Sequence, residues 1–303
     1  MSLSSTGDGP VHRQIDVGDL DVHVVTLGAG DPVVFLHGFP ELWFSWRHQL
    51  PAIAASGRQA IAFDQRGYGR TMGPADIEHT DVMRLTGDVV GVLDALGLKQ
   101  ATLVGHDFGA YVAWHTALLH SERVRGIVAL SVPYTPRTPA PPMQFFRQMV
   151  GDDFYMLWLQ QPGVADAAFA ADVPRALHGG WVTDRSGWAD APIPRHPAFQ
   201  TADEHAVFVE ALTRRGFTGG LNWYRNFDRN WELLAPYHGR TIDAPAMFLA
   251  GAEDPVASFM PPSVMDGVVT DLRAVVTVPG ANHWLQQEAP SVVNDALLRF
   301  LDG

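Results

Sequence analysis

Hydrophobic and polar positions alternate along residues 15–27, whereas four later stretches are short and mostly apolar. These four stretches are residues 32–36, 59–63, 101–104 and 124–132. Alternation predicts a strand with one buried face, and a short apolar run predicts a strand buried on both faces. Apolar residues at helical spacing separate the strands, at residues 46–55, 80–96 and 110–119. Strands that alternate with helices favour an α/β fold, with a mostly parallel central sheet and helices on both faces.

The pattern changes after Pro133. Residues 134–237 contain no strand-like run but carry helical segments rich in Phe, Trp and Met, at residues 143–149, 153–160, 164–177, 202–214 and 221–231. Strand character returns at residues 245–250 and 274–278, and an amphipathic helix follows at residues 290–301. We therefore predict a core formed by residues 1–133 and 238–303, with residues 134–237 inserted as a helical lid.

Composition excludes several classes of function. The 303 residues are 47% hydrophobic, which suits a globular chain with a sizeable core. The absence of cysteine excludes disulfides and a thiolate nucleophile. A net charge of -12 without a basic run argues against a nucleic-acid partner. No apolar stretch is long enough to span a membrane and the N-terminus lacks the segments of a signal peptide, so we expect a cytoplasmic protein.

The first candidate catalytic residue lies in a turn that joins a predicted strand to a predicted helix. The turn is Gly105-His106-Asp107-Phe108-Gly109. A strand, a tight Gly-x-Asp-x-Gly turn and a helix form a nucleophile elbow. Glycine is needed on both sides because strand and helix approach too closely for a Cβ atom. The carboxylate of Asp107 would lie at a helix N-terminus, where negative charge is stabilised. By itself the motif also fits an aspartate that only caps a helix.

Two further polar residues follow predicted strands. Asp254 follows the strand at residues 245–250, and His283 follows the strand at residues 274–278. The order nucleophile, acid, histidine is that of the α/β-hydrolase fold, and ligands of open α/β sheets bind beyond the carboxyl ends of strands. Glu253 is an alternative acid, but its spacing from Gly251 fits less well. We predict a catalytic set of Asp107, Asp254 and His283.

Several motifs then match one family. His37-Gly38-Phe39-Pro40 is similar to an H-G-x-P motif, and residues 64–71 resemble a D-x-R-G-x-G-x-S segment with Thr71 in place of the usual serine. Residues 154–163 and 221–226 look like two lid segments that each carry an active-site tyrosine. From about residue 15 to the C-terminus, the chain resembles α/β-hydrolase-fold epoxide hydrolases. The resemblance implies an α/β-hydrolase fold and an enzyme that uses no cofactor or metal. It also implies a cis Phe39-Pro40 bond and identifies Tyr155 and Tyr224 as the lid tyrosines.

The aspartate at the elbow indicates the type of reaction. A serine that attacked a saturated carbon would form a stable ether, whereas a carboxylate forms an alkyl ester that water can hydrolyse. Asp107 would therefore open an epoxide, and His283, oriented by Asp254, would activate water to release a vicinal diol. The backbone N–H groups of Phe39 and Phe108 would hold the oxyanion.

Two phenols from the lid would hydrogen-bond to the epoxide oxygen and protonate it, which is the role we predict for Tyr155 and Tyr224. The partners are then a small epoxide and water. The oligomeric state is open, with a homodimer as one option. The remaining candidates are expected to line the substrate pocket, and packing is the alternative for its aromatic members: His37, Pro40, Trp43, Trp158, Trp223 and Trp284.

Two other functions compete with epoxide hydrolysis. A haloalkane or haloacid dehalogenase uses the same Asp–His pair, but its halide often needs an indole donor directly after the nucleophile, where this chain has Phe108. The other alternative is a non-catalytic ligand-binding protein on the same scaffold, which would be expected to have an incomplete catalytic set.

Overall fold

The computed structural model describes residues 9–183 and 187–303, so residues 1–8 of the predicted core and residues 184–186 of the predicted lid lie outside it. Eight strands form one sheet in the order β1-β2-β4-β3-β5-β6-β7-β8. The strands are β1 (Val11–Val17), β2 (Leu20–Leu27), β3 (Pro32–Leu36), β4 (Gln59–Phe63), β5 (Ala101–His106), β6 (Val124–Leu130), β7 (Ala246–Gly251) and β8 (Leu272–Val278). From β4 to β8 every neighbouring pair is parallel, as predicted.

The prediction of one strand at residues 15–27 is wrong. Residues Val11–Val17 and Leu20–Leu27 are two antiparallel strands that pair in a hairpin, and β2 also pairs antiparallel with β4. The chain reverses at Gly18, whose φ of 60° is readily available only to glycine. The apolar positions shift from odd-numbered (Ile15, Val17) to even-numbered (Leu20, Val22, Val24) across this turn, a change of phase that the prediction of one continuous strand overlooked.

Helices cover both faces of the sheet. The helices outside the long segment between β6 and β7 are α1 (Gln49–Ala55), α2 (Val82–Ala95), α3 (Phe108–Leu119), α11 (Leu285–Glu288) and α12 (Pro290–Asp302). One core layer includes Ile53 of α1 and Leu297 of α12, and the other includes Val89 of α2 and Val112 of α3. The sheet is therefore buried on both faces, which explains the continuous apolar runs of its parallel strands.

The segment between β6 and β7 contains only helices and connecting turns in its described residues. Its α-helices are α4 (Pro142–Met149), α5 (Tyr155–Leu159), α6 (Val164–Ala171), α7 (Val173–Leu177), α8 (Ala202–Arg215), α9 (Thr218–Arg225) and α10 (Phe227–Leu233). Two predictions of single helices, at 164–177 and 221–231, are wrong because each contains a break. Asp172 ends α6 and caps α7 by accepting a hydrogen bond from the Arg175 N–H at 3.0 Å. The side chain of Asn226 separates α9 from α10 and donates to the Ile77 carbonyl at 2.8 Å.

Helix α9 contacts the loop after β4 without intervening side chains. A Cβ atom at Gly67 would overlap the backbone of Gly219, and a Cβ atom at Gly219 would overlap the backbone of Gly67. A Cβ atom at Gly220 would meet the Tyr68 hydroxyl. The two glycines thus allow α9 to approach the end of the sheet at backbone distance. In the described parts of the chain, no helix has the length and apolar character needed to cross a membrane.

Candidate active site

Asp107 occupies a strained turn between β5 and α3. Its φ of 53° lies in the left-handed region, which costs a residue other than glycine roughly 1–2 kcal/mol. The flanking glycines permit this turn, because a Cβ atom at Gly105 would overlap Gly109 and one at Gly109 would overlap the Leu36 carbonyl. The surrounding packing holds the aspartate in this conformation and directs it beyond the carboxyl end of β5.

The loop after β3 supplies a hydrogen-bond donor to the aspartate. The N–H of Phe39 donates to Oδ1 of Asp107 at 2.9 Å, and the Phe39-Pro40 bond is cis, which confirms that expectation. A Cβ atom at Gly38 would overlap the Asp107 carboxylate, so this loop also requires glycine. The Phe108 N–H is the first amide of α3, and such amides have no partner within their own helix. The Phe39 amide therefore contacts the Asp107 carboxylate, and the Phe108 amide directly follows Asp107 in the chain.

His283 lies between the two aspartates that the sequence singled out. Its Nε2 atom is 3.6 Å from Oδ2 of Asp107, and its Nδ1 atom is 3.2 and 3.3 Å from the two carboxylate oxygens of Asp254. Asp254 is buried and Glu253 is exposed, so the structure brings Asp254 and not Glu253 to the imidazole. Burial disfavours the imidazolium, but the adjacent carboxylates of Asp107 and Asp254 raise the pKa of His283 well above 6.5.

Ser131 is a further polar residue at this site that the sequence analysis missed. Its Oγ atom lies 3.0 Å from Nδ1 of His283, and its own side chain is buried. The Asp254 carboxylate is fixed on its other side by the Val256 N–H at 2.9 Å. No periodicity or motif distinguishes a single serine at the end of a strand, so no signal in the sequence was available to find it.

Tyr155 on α5 and Tyr224 on α9 face the same cavity as Asp107. Their ring centroids are 6.5 Å apart, and their exposed fractions are only 6% and 3%. Burial, followed by the negative charge of Asp107, raises the pKa of both phenols well above 10. Each hydroxyl therefore stays protonated and can donate a hydrogen bond into the cavity.

The cavity has a volume of about 420 Å³ and extends along α3. Asp107 and one face of that helix line it, the helical residues being Phe108, Tyr111, Trp114, His115 and Leu118. Asp107 and Leu118 are eleven positions apart, which at 1.5 Å per residue corresponds to roughly 16 Å. The helical segment contributes further apolar walls, among them Phe146, Met156 and Phe227. The cavity is therefore elongated and mostly apolar, with Asp107 as the one carboxylate among its described lining residues.

Six residues predicted to line the substrate pocket are not among the residues that line this cavity: His37, Pro40, Trp43, Trp158, Trp223 and Trp284. Pro40 and Trp284 line a second, smaller cavity, and the rings of the other four contact neighbouring aromatic side chains. The Trp223 indole, for example, donates to the Arg66 carbonyl at 3.2 Å, and Trp158 packs edge-on against Phe169. Aromatic side chains near a site are common in both packing and pockets, which is why their identity did not separate the two.

Behind the site, two buried groups fix the loops. Nδ1 of His106 is 2.7 Å from Oε2 of Glu41, and its Nε2 is 2.8 Å from the backbone carbonyl of His283. Burial opposes ionisation of Glu41, but the charge and hydrogen bond of His106 lower the pKa of Glu41 to about 2. Glu41 also accepts from the Gly38 N–H at 2.8 Å. His106 therefore tethers the His283 loop to the Phe39 loop, as expected of a scaffold residue.

Comparison with known proteins places this geometry in a family. The profile of the α/β hydrolase fold matches residues 31–290. The chain is 46% identical to epoxide hydrolase A of Mycobacterium tuberculosis (strain ATCC 25618 / H37Rv), over 97% of this chain and 98% of that protein. It is 39% identical to epoxide hydrolase 1 of Siraitia grosvenorii, over 96% and 97% of the two chains.

Solved structures give the same result. The crystal structure of epoxide hydrolase A from Mycobacterium thermoresistibile is similar with a TM-score of 0.92 at 44% identity, covering 97% of this chain and 99% of that one. The epoxide hydrolase VrEH1 of Vigna radiata has a TM-score of 0.91 at 34% identity, covering 98% and 99%. The fold, the geometry of the site and the sequence similarity over nearly the full length all indicate the same family. The chain belongs to the α/β-hydrolase-fold epoxide hydrolase family.

Proposed function

We propose that this protein hydrolyses epoxides to vicinal diols through an alkyl ester on Asp107. The relatives named as epoxide hydrolases support the activity. The observation that carries the mechanism is one cavity in which the Asp107 carboxylate faces two protonated phenols, with His283 only 3.6 Å from that carboxylate. A nucleophile and two acids on opposite sides of a small apolar space suit the opening of a strained ring.

In the first step, Asp107 attacks a ring carbon. Oδ1 is held by the Phe39 N–H, so Oδ2 is the oxygen left to act as nucleophile. A bond forms between Oδ2 and the carbon while the carbon–oxygen bond of the ring breaks. The leaving oxygen takes a proton from Tyr155 or Tyr224, and the second phenol stabilises it by a hydrogen bond. The product is a 2-hydroxyalkyl ester.

In the second step, water hydrolyses that ester. Nε2 of His283 removes a proton from water as the water oxygen attacks Cγ of Asp107. The tetrahedral oxyanion on Oδ1 is stabilised by the N–H groups of Phe39 and Phe108, each worth about 3 kcal/mol of barrier. The Cγ–Oδ2 bond then breaks while His283 returns its proton to Oδ2, so the diol leaves with Oδ2. The proton of the new carboxylic acid restores the tyrosinate to a phenol and leaves Asp107 as a carboxylate. One oxygen of the regenerated carboxylate therefore comes from water.

Esterification also favours the neutral form of His283, which can accept a proton. The pKa of His283 is raised in part by the negative charge of the nearby Asp107 carboxylate. The ester carries no charge, so this contribution disappears once the alkyl-enzyme has formed. His283 then returns toward its neutral form at the step in which a neutral imidazole is needed.

The helical segment supplies the acids and covers the site, and we infer that residues 134–237 act as a lid on a core of residues 1–133 and 238–303. Tyr155 and Tyr224 both come from this segment. A lid that carries the acids excludes bulk water from the ester until the hydrolytic water attacks.

Single-turnover hydrolysis of a styrene-type epoxide in ¹⁸O-water, with enzyme in excess, tests the ester. We expect label in a peptide that contains Asp107 and none in the diol from the first turnover. Label found only in the diol would show direct attack by water and would refute the ester route. A bromoalkane assay for halide release runs beside it, and dehalogenation without diol formation would assign the Asp–His pair to the competing reaction.

A further inference from the structure

Ser131 has an unusual backbone conformation at the end of β6. Its φ is 71°, and the Val132 N–H donates to the Leu130 carbonyl at 2.9 Å, which closes a three-residue turn centred on the serine. A γ-turn with a positive φ is rare and strained, particularly without glycine at its centre. Strain of this kind persists only where the surrounding structure enforces it, and it is concentrated at functional sites.

The turn is fixed to both sides of the active site. The Ser131 N–H donates to the Leu249 carbonyl in β7 at 2.8 Å, and β7 leads directly to Asp254. The Leu130 carbonyl also accepts the Asp107 N–H at 3.2 Å. One short turn therefore joins the elbow of the nucleophile to the strand that carries the acid.

The side chain of this turn is directed at the imidazole. Oγ of Ser131 lies 3.0 Å from Nδ1 of His283, closer than either oxygen of Asp254 at 3.2 and 3.3 Å. Burial opposes ionisation of Asp254, but hydrogen bonds from His283 and then from Ser131 lower the pKa of that carboxyl. The serine thus contacts both members of the pair that orients the base.

The protonation states fix the direction of these hydrogen bonds. If Nε2 of His283 is to accept a proton from water, Nδ1 must carry the ring proton and act as a donor. The Ser131 oxygen can then only accept from Nδ1, and its own proton is available to the Asp254 carboxylate. Serine suits this position because a hydroxyl accepts one hydrogen bond while it donates another.

We propose that Ser131 is a positioning residue for the ester-hydrolysis step, holding the His283 ring and its tautomer through a second hydrogen bond beside that of Asp254. This inference rests on the proposed function, because it needs an ester to hydrolyse. Attack of Asp107 on the epoxide does not involve Nδ1, so the first step does not depend on the serine hydroxyl. A defect confined to the second step is therefore expected.

Two variants, Ser131→Ala and Ser131→Gly, test this role by rapid mixing with excess epoxide. In both, we expect the alkylation rate to stay within about twofold of the wild type while ester hydrolysis slows about tenfold. Because only a later step is slowed, kcat and KM should fall together, kcat/KM should stay constant, and the ester should accumulate as an added mass on the protein.

The two substitutions separate the hydroxyl from the turn. Glycine adopts a positive φ without strain, whereas alanine keeps the Cβ atom and the strain of the native residue. If the backbone conformation alone mattered, Ser131→Gly would have wild-type kinetics. Wild-type ester hydrolysis in either variant overturns the proposal, and so does a fall in kcat/KM at constant KM. If the wild type itself forms no ester, the proposed function fails instead.

Discussion

Oδ2 of Asp107 and Nε2 of His283 are 3.6 Å apart, too far for a strong hydrogen bond and close enough for one water molecule to contact both after small movements. The other ring nitrogen of His283, Nδ1, lies 3.2 Å from the Asp254 carboxylate, which fixes the orientation of the imidazole. The nucleophile and the base therefore both adjoin the space in which the hydrolytic water must attack. Substitution of Asp107 should block alkylation and substitution of His283 should block ester hydrolysis, so the two variants are expected to differ in their kinetics.

Replacement of the base should trap the ester. In His283→Gln, Asp107 can still attack the epoxide, but nothing removes a proton from the hydrolytic water. We expect one equivalent of epoxide to be consumed rapidly, and the steady rate of diol formation to be at least about 10²-fold below the wild type. Intact-protein mass spectrometry should show the mass of the substrate added to the enzyme. Asp107→Ala serves as the control and should show no adduct, and an adduct on that variant would place the nucleophile elsewhere.

Removal of the phenols should stop ring opening. Each of Tyr155→Phe and Tyr224→Phe should slow alkylation about 10²-fold, and the double variant should lose most of the acceleration because the alkoxide has no acid left. Tyr134→Phe is a matched control, since Tyr134 is buried and lines the same cavity, and its pKa is raised by burial alone. Equal losses in all three single variants, or undiminished turnover in the double variant, would refute the assigned role.

The charge of Asp107 should determine the titration of His283. In the free enzyme, the hydrogen bonds and charges of both aspartates outweigh burial and raise the pKa of His283 well above 6.5. The pKa of His283 is therefore higher in the folded protein than in the unfolded chain. Its contribution to the free energy of unfolding is complete below about pH 6.5 and is lost as the pH rises through the pKa of the folded protein.

NMR titration of the His283 ring in the wild type and in Asp107→Asn provides the measurement. We expect the neutral asparagine to lower the pKa of His283, and the stability of the variant to fall less steeply at alkaline pH. The groups that remain beside the ring are Asp254, Ser131 and His106. An unchanged titration would mean that Asp254 alone sets the charge of the imidazole.

The length of the cavity should limit long substrates but not short ones. Leu118 lies about 16 Å from Asp107 along α3, so Leu118→Trp would fill the far end and leave the reacting groups untouched. We expect kcat/KM for a long-chain alkyl epoxide to fall at least about tenfold, while styrene oxide reacts within about twofold of the wild-type rate. A parallel loss for both substrates would indicate general damage and would argue against an elongated binding mode.

The backbone contact under α9 should be sensitive to one methyl group. Gly219→Ala forces α9 away from Gly67, so we expect a loss of roughly 1–3 kcal/mol and lower activity through Tyr224. Gly87 in α2 is a matched control, because a Cβ atom there meets nothing within 4 Å. Gly87→Ala should stabilise the protein by about 0.5–1 kcal/mol. Thermal unfolding measures both, and a Gly219→Ala protein as stable as the wild type would contradict the contact.

The sequence predicted the sheet and the proximity of Asp107, Asp254 and His283 well because both depend on strong local signals. The inner parallel strands are buried on both faces and so form mostly apolar runs, and the glycines at 105 and 109 mark the elbow directly. The hairpin at Gly18 was missed because apolar and polar residues alternate on both sides of a two-residue turn, and the change of phase at that turn is only one position. The breaks at Asp172 and Asn226 were missed because side-chain hydrogen bonds, which apolar periodicity does not record, decide where those helices end.

The outer parts of the site were harder to predict. His37, Pro40 and the four tryptophans lie close in sequence to the predicted catalytic residues, yet none of them is among the residues that line the cavity beside Asp107. Ser131 and Glu41 act through contacts between segments far apart in the chain, to His283 and to His106. Such contacts exist only after the sheet has assembled, so a single sequence contains no spacing that reveals them.

The paired glycines at 67 and 219 have a consequence for altering the specificity of this enzyme. Helix α9 meets the loop after β4 with no side chains between them, so no smaller side chain can be introduced at this junction. Tyr224, which α9 carries, is therefore held at a fixed distance from Asp107. Directed evolution toward bulkier substrates should therefore accumulate changes at other residues that line the cavity, such as Phe146, Met156 and Phe259. Substitutions at residues 218–220 should be rare among the active variants that such a selection yields.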